Sequence, residues 1–196
     1  MGLPQLDISD VVCIASGPSL TQDQVDYVRG RALVIAINDN YRLAPWADVL
    51  YACDAEWIEH HNGNLLDFEG LKVTQDKESA ERFGWLHVQG AKGPGLSLDR
   101  SLIHYGQNSG FQAINVAYHL GAKRIILIGY DMQAIKRRHW FGNHPASFNK
   151  YSHYESFLRD YQTIADQLPG LDIEIINCTE ETALKCFTIQ KLKKTI

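Results

Sequence analysis

Short apolar runs alternate with helical patterns along the chain. Val11 to Ala15 is an unbroken apolar run closed by Gly17-Pro18, and Ala32 to Ile37 is a second, closed by Asn38-Asp39-Asn40. Asp48 to Cys53 is a third, ending at Asp54, and Arg124 to Ile128 is the clearest, ending at Gly129-Tyr130-Asp131. Lys72 to Thr74, Trp85 to Val88 and Asp172 to Ile176 read as further strands. These runs are β-branched and bounded by turn residues, which favours strand over helix. Helices are expected over Thr21 to Arg29, Ala55 to Leu66, Ser109 to Leu120, Tyr151 to Leu168 and from Thr182 onward. In the fourth, Tyr154, Phe157, Leu158, Tyr161, Ile164, Ala165 and Leu168 form one apolar stripe, read as core. Gln89 to Gln107, with four glycines and Pro94 in its first eighteen residues, reads as a long loop, as does Met132 to Asn149.

Strands apolar on both faces and separated by helices predict an α/β fold. The expectation is a Rossmann-like, doubly wound, mostly parallel sheet of about six or seven strands with helices on both faces. The 196 residues suit one such domain over 1–196. Hydrophobic residues at 45% and charged residues at 21% are an ordinary globular balance, and the formal charge of −4 argues against a general nucleic-acid binder. Lys191, Lys193 and Lys194 read as a solvated basic tail. Four cysteines without a CxxC pair argue against structural zinc and for a reduced, cytoplasmic protein. No signal peptide, myristoylation signal or membrane span is expected from the pattern.

A doubly wound sheet binds ligands at the carboxyl ends of its strands, so the residues following the apolar runs are the candidates. At Ser16-Gly17-Pro18-Ser19, Gly17 lets the backbone approach a ligand, and helix-start N–H groups favour an anion. The alternative is a capped turn with Ser19 as N-cap. Asn38 and Asp39 suit ribose or base, or else an Asx turn; Asp54 suits a ligand or an N-cap. Asn108-Ser109 opens a helix after the Gly-rich loop. Asp131, straight after a strand, suits ribose hydroxyls, a metal or an acceptor. His139 and His144 share a short loop and have the pKa range for proton transfer, with metal binding or a structural role as the alternatives. His60, His61, His87, His104, His119 and His153 read as surface or helix-face residues.

The segments IASGPSL (14–20), VIAINDNYRLAPWADVLYACD (34–54), NSGFQAINVAYHLGAKRIILIGYDM (108–132) and HWFGNHP (139–145), in this order, resemble one superfamily. It contains bacterial CMP-sialic-acid sialyltransferases of the lipooligosaccharide type, motility-associated flagellin glycosyltransferases and archaeal 6-hydroxymethylpterin diphosphokinase, with small relatives frequent in phage genomes. The resemblance implies a nucleotide site. Ser16 and Gly17, with Pro18 and Ser19 in the same turn, match the phosphate-holding segment. Asn38 and Asn108-Ser109 match the ribose and base contacts. Gly129, Tyr130 and Asp131 match the segment that closes the pocket. His144, with His139 second, matches the acceptor-activating base.

The implied activity is a glycosyltransferase-like transfer from a nucleotide-activated, CMP-linked sugar to a small-molecule or glycan acceptor, with no obligatory cofactor or metal. The alternatives are pyrophosphate transfer from ATP, with Mg2+ on carboxylates such as Asp54 or Asp131, and nucleotide sequestration without turnover. A homo-oligomer is compatible with all three. Asp131 and His139 are eight positions apart, too close for the tyrosine-bearing lid of the sialyltransferases. Lys136, Arg137 and Arg138 are the candidates to neutralise a phosphate there.

Overall fold

The computed structural model describes residues 3–133, 137–145 and 153–196. In chain order the elements are β1 (Asp10–Ile14), α1 (Gln22–Val28), β2 (Leu33–Ile37), β3 (Val49–Tyr51), α2 (Ala55–His61), β4 (Leu71–Thr74), α3 (Lys77–Phe83) and β5 (Leu86–His87). There follow β6 (Gln89–Ala91), β7 (Leu102–His104), α4 (Ser109–Leu120), β8 (Arg124–Ile128), α5 (Tyr154–Gln167), β9 (Glu174–Asn177), β10 (Thr188–Ile189) and α6 (Leu192–Thr195).

Among the described residues the main sheet has eight strands in the order β10-β9-β8-β1-β2-β3-β4-β5, and every pairing in it is parallel. The doubly wound α/β expectation holds, with eight strands rather than six or seven. The central strands alternate between two buried layers. Val11 and Cys13 of β1, with Ile125 and Leu127 of β8, pack against Phe111, Ile114 and Ala117 of α4 and Tyr161 and Ile164 of α5. Val12, Ile14, Ile126 and Ile128 face the other way, toward Val25 and Val28 of α1 and Trp57 and Ile58 of α2. Both layers are buried, which is why these strands read as continuous apolar runs rather than alternating ones.

The chain winds to one side of β1 through β2 and to the other through β8. Loops leaving the carboxyl ends of neighbouring strands therefore diverge around β1 and open a crevice there. Two departures from expectation shape its rim. The segment 89–107 is not plain loop: β6 and β7 pair in parallel as a small second sheet. Asn115 of α4 holds it, its Oδ1 accepting from the Ser97 and His104 amides at 3.0 and 2.9 Å. The chain beyond Thr182 is not a helix. Thr182 Oγ1 donates to Tyr130 O at 2.6 Å, and Asn177 Nδ2 donates to Leu184 O at 3.0 Å. Only the two-residue β10 and the short α6 follow. The helix expected from Tyr151 begins at Tyr154; Tyr151 lies outside the described residues.

Candidate functional site

A cavity of about 570 Å³ opens over the carboxyl ends of β1, β2, β3 and β8, within the size range of small-molecule sites. Ser16 and Gly17 line it after β1, Asn38 after β2, Asp54 after β3, and Gly129 and Asp131 after β8. Asn108 and Ser109 enter at the start of α4, and His139 and His144 come from the loop beyond Asp131. Pro18, Ser19, Asp39 and Tyr130 are not in its wall.

The turn after β1 is differently built from its sequence reading. Its amides are not free donors at a helix start. Gly17 N–H donates to Gly129 O at 2.8 Å, Ser19 N–H to Asp131 Oδ2 at 3.0 Å, and Ser19 Oγ–H to Asp131 Oδ1 at 2.8 Å. The helix begins later, at Gln22, where Thr21 and Gln24 form a reciprocal capping box, so Ser19 is not an N-cap. The anion in this turn is the protein's own carboxylate. A Cβ on Gly17 would meet Asp131 Oδ1 at 1.9 Å and Gly129 O at 2.4 Å, so only glycine admits this clasp between β1 and β8. Burial raises the Asp131 pKa above the usual carboxylate value, against the lowering effect of its Ser19 bonds. Tyr130 is wholly buried and donates to Gly110 O at 3.1 Å, a core position that keeps it from a ligand.

The opposite wall is less satisfied. Asn38 holds a left-handed backbone, φ 51°, an uncommon state for a residue with a side chain. Its Nδ2 reaches Ser109 Oγ at 3.3 Å, while its Oδ1 is buried without a partner among the described residues. Whichever way the amide is turned, one end lacks a partner, and an unpaired buried polar atom costs free energy until a ligand supplies the bond. Ser109 is the first residue of α4; the cap is Asn108, whose Oδ1 accepts from Phe111 N and Tyr161 Oη, both at 2.9 Å. Asp54 stands at the N-cap position of α2 without a side-chain capping bond.

Asp39 is only 3% exposed. It faces away from the cavity, accepting from Trp57 Nε1 at 2.8 Å, with His144 Nδ1 at 3.7 Å and His61 Nε2 at 3.8 Å. The sequence reading as a ribose or base contact is therefore corrected: the 3₁₀ turn over Asn38–Arg42 rotates Asp39 behind the wall that Asn38 forms. His61, the last residue of α2, lies on a helix face that turns inward. It is buried, stacks on Trp57 with ring centroids 4.3 Å apart, and shares a 3.0 Å bond between Nδ1 and Tyr41 Oη. His119 is also fully buried, under β7.

The histidine loop is anchored by Trp140 and Asn40. Trp140 N–H donates to Ser16 O at 3.1 Å and its Nε1–H to Asn40 Oδ1 at 2.8 Å. Asn40, fully buried, sets its Nδ2 2.7 Å from Ile14 O, 2.8 Å from Ile37 O and 3.1 Å from Ser16 Oγ. One side chain thus ties β1, β2 and the loop together. Burial, with His144 adding, pushes the His139 pKa down to about 4. His144 is lowered by burial and partly restored by Asp39 and Asp54. Both are neutral near pH 7. Arg138 lines the cavity, Arg137 reaches Pro18 O at 3.4 Å, and Lys136 lies outside the described residues. His153, Tyr154 and Phe157 complete the wall from the start of α5, so this end of the aromatic stripe faces the cavity while Tyr161 and Ile164 are core. Among the described residues no three His, Cys, Asp or Glu side chains are grouped to hold a metal, and no helix is long and apolar enough to cross a membrane.

No family model and no curated protein matches the sequence. The fold is shared with the sialyltransferase CstII from Campylobacter jejuni, solved in complex with a substrate analogue, cytidine-5'-monophosphate. The TM-score is 0.57 at 15% identity, over 92% of this chain and 84% of that one. The same enzyme in complex with CMP-3FNeuAc gives a TM-score of 0.52 at 14% identity, over 93% and 85%. At these identities the likeness is one of fold.

Proposed function

We propose that the cavity binds a nucleotide-activated sugar, CMP-linked, and that the protein is a glycosyltransferase-like enzyme with His144 as general base. The observation that carries the nucleotide reading is the unpaired, buried amide end of Asn38 beside the Ser109 hydroxyl. That pair suits the donor–acceptor character of ribose hydroxyls and a base edge. The shared fold with a sialyltransferase that holds CMP supports the choice of nucleotide.

In the proposed reaction an acceptor hydroxyl attacks the anomeric carbon of the sugar. His144, neutral near pH 7, takes the hydroxyl proton, the glycosidic carbon–oxygen bond forms, and the bond to the nucleotide phosphate breaks. Arg138 offsets the charge on the departing phosphate, in place of Gly17 N–H and Ser19, which donate to Gly129 and Asp131. Of the two carboxylates that the pyrophosphokinase-like alternative would use for Mg2+, Asp54 lines the cavity and Asp131 accepts from Ser19 through both oxygens.

A thermal-shift screen of CMP, CDP, UDP, GDP and ATP tests the binding. A ligand at about 100 times its Kd adds ~2.7 kcal/mol, or roughly 5–10 °C for a domain of this size. The expected result is a rise with CMP. No rise with any of the five would sink the nucleotide reading. A tight complex giving no transfer product would favour sequestration.

A further inference from the structure

The cluster behind the cavity wall assigns a role to a residue that touches no ligand. The Asp39 carboxylate has one histidine on each oxygen: His144 Nδ1 lies 3.7 Å from Oδ2, and His61 Nε2 lies 3.8 Å from Oδ1. Two further groups fix it. Trp57 Nε1–H donates to Oδ2 at 2.8 Å, and the Arg42 guanidinium stands 3.5 Å from Oδ1. The carboxylate side chain is 4% exposed, whereas His144 sits in the cavity wall. A buried anion held by an indole and a guanidinium is a fixed point against which an imidazole can be oriented.

We infer that Asp39 is a positioning residue for His144. Its carboxylate draws the imidazole proton to Nδ1 and leaves Nε2 as the base that meets the acceptor. This rests on the transferase reading only for what His144 does, not for how it is held. At 3.7 Å the carboxylate is an ion-pair contact, and a negative charge beside one ring nitrogen favours the tautomer with its proton there already in the unliganded site; the separation shortens to a hydrogen bond when substrate packs against the ring. His61, bonded through Nδ1 to Tyr41 and stacked on Trp57, closes the far side of the carboxylate and keeps water from it. The charged and titratable groups facing His144 are Asp39 from the 3₁₀ turn, Asp54 from the start of α2, and Arg138 and His139 from its own loop, with His61 behind Asp39.

Long-range ¹H–¹⁵N NMR of the histidine rings tests this on the unliganded wild-type protein. The expected result is His144 protonated at Nδ1 at neutral pH. In Asp39→Asn, which keeps the volume and an acceptor for Trp57, the Nδ1–H form gives way to Nε2–H and the His144 pKa falls, because a neighbouring negative charge is gone. In turnover assays Asp39→Asn then loses about 10²-fold or more in kcat, and the acid limb of the pH profile moves to lower pH, with CMP affinity unchanged. Nε2–H as the dominant wild-type form, or the same tautomer and pKa in Asp39→Asn, would overturn the inference. The expected tautomer in a protein that binds no nucleotide would instead remove the transferase reading and leave the positioning role standing.

Discussion

The two sides of the cavity are built on opposite principles. On the β1 side the turn is clasped: Gly17 and Ser19 spend their donors on Gly129 and Asp131. On the β2 side one polar group is held short of satisfaction. Asn38 keeps one amide end unpaired in a left-handed backbone, in the same wall as His144, which meets Asp39 at 3.7 Å. A buried group whose bonds are complete contributes to the fold, whereas one left incomplete by the fold marks where a ligand completes it. The difference moves the functional weight from the glycine turn to the Asn38–Ser109–His144 side.

The largest expected effect breaks the closed side. Gly17→Ala should destabilise the protein by ~3 kcal/mol or more, because its Cβ meets a backbone carbonyl as well as Asp131. Urea denaturation checks this, and a variant as stable as wild type would mean the clasp yields easily. On the open side, His144→Ala should lower turnover by about 10²–10⁴-fold while CMP binding survives. Full activity in single-turnover assays would remove His144 from the chemistry.

A smaller effect separates the two sides by pH. The folded-state pKa of Asp131 is raised, so the native state holds this proton more tightly than the unfolded chain. Its contribution favours folding at low pH and is lost as pH rises from the unfolded value, near 3.8, through the folded one. Asp131→Asn should flatten that part of the stability–pH curve. An unchanged slope relative to wild type would show that Asp131 does not titrate as described.

The strands and the rim were legible because each rests on local pattern. β8 and α4 fall where the apolar runs and the closing Gly121 put them. Asn38 and Ser109 are rim residues because one follows a strand and the other opens a helix. The short α3 went unread although Asp76 caps it and Gly84, φ 71°, ends it. What local pattern could not carry is pairing across the fold. Ser19 and Asp131 are 112 positions apart, and Trp140 and Asn40 are 100 apart. The inward turn of Asp39 depends on Trp57 and His61 arriving from α2. Composition at those positions is compatible with a surface residue as much as with a buried one.

Calorimetric titration of CMP into wild type and Asn38→Gly tests the central claim most directly. Glycine accepts the left-handed backbone at no steric cost, so the variant removes the unpaired amide without straining the fold. The account predicts that wild type binds CMP and that the variant keeps its melting temperature but binds about tenfold more weakly, the worth of one hydrogen bond of ~1.4 kcal/mol. Equal affinity in the two proteins, or no binding to wild type, would contradict it.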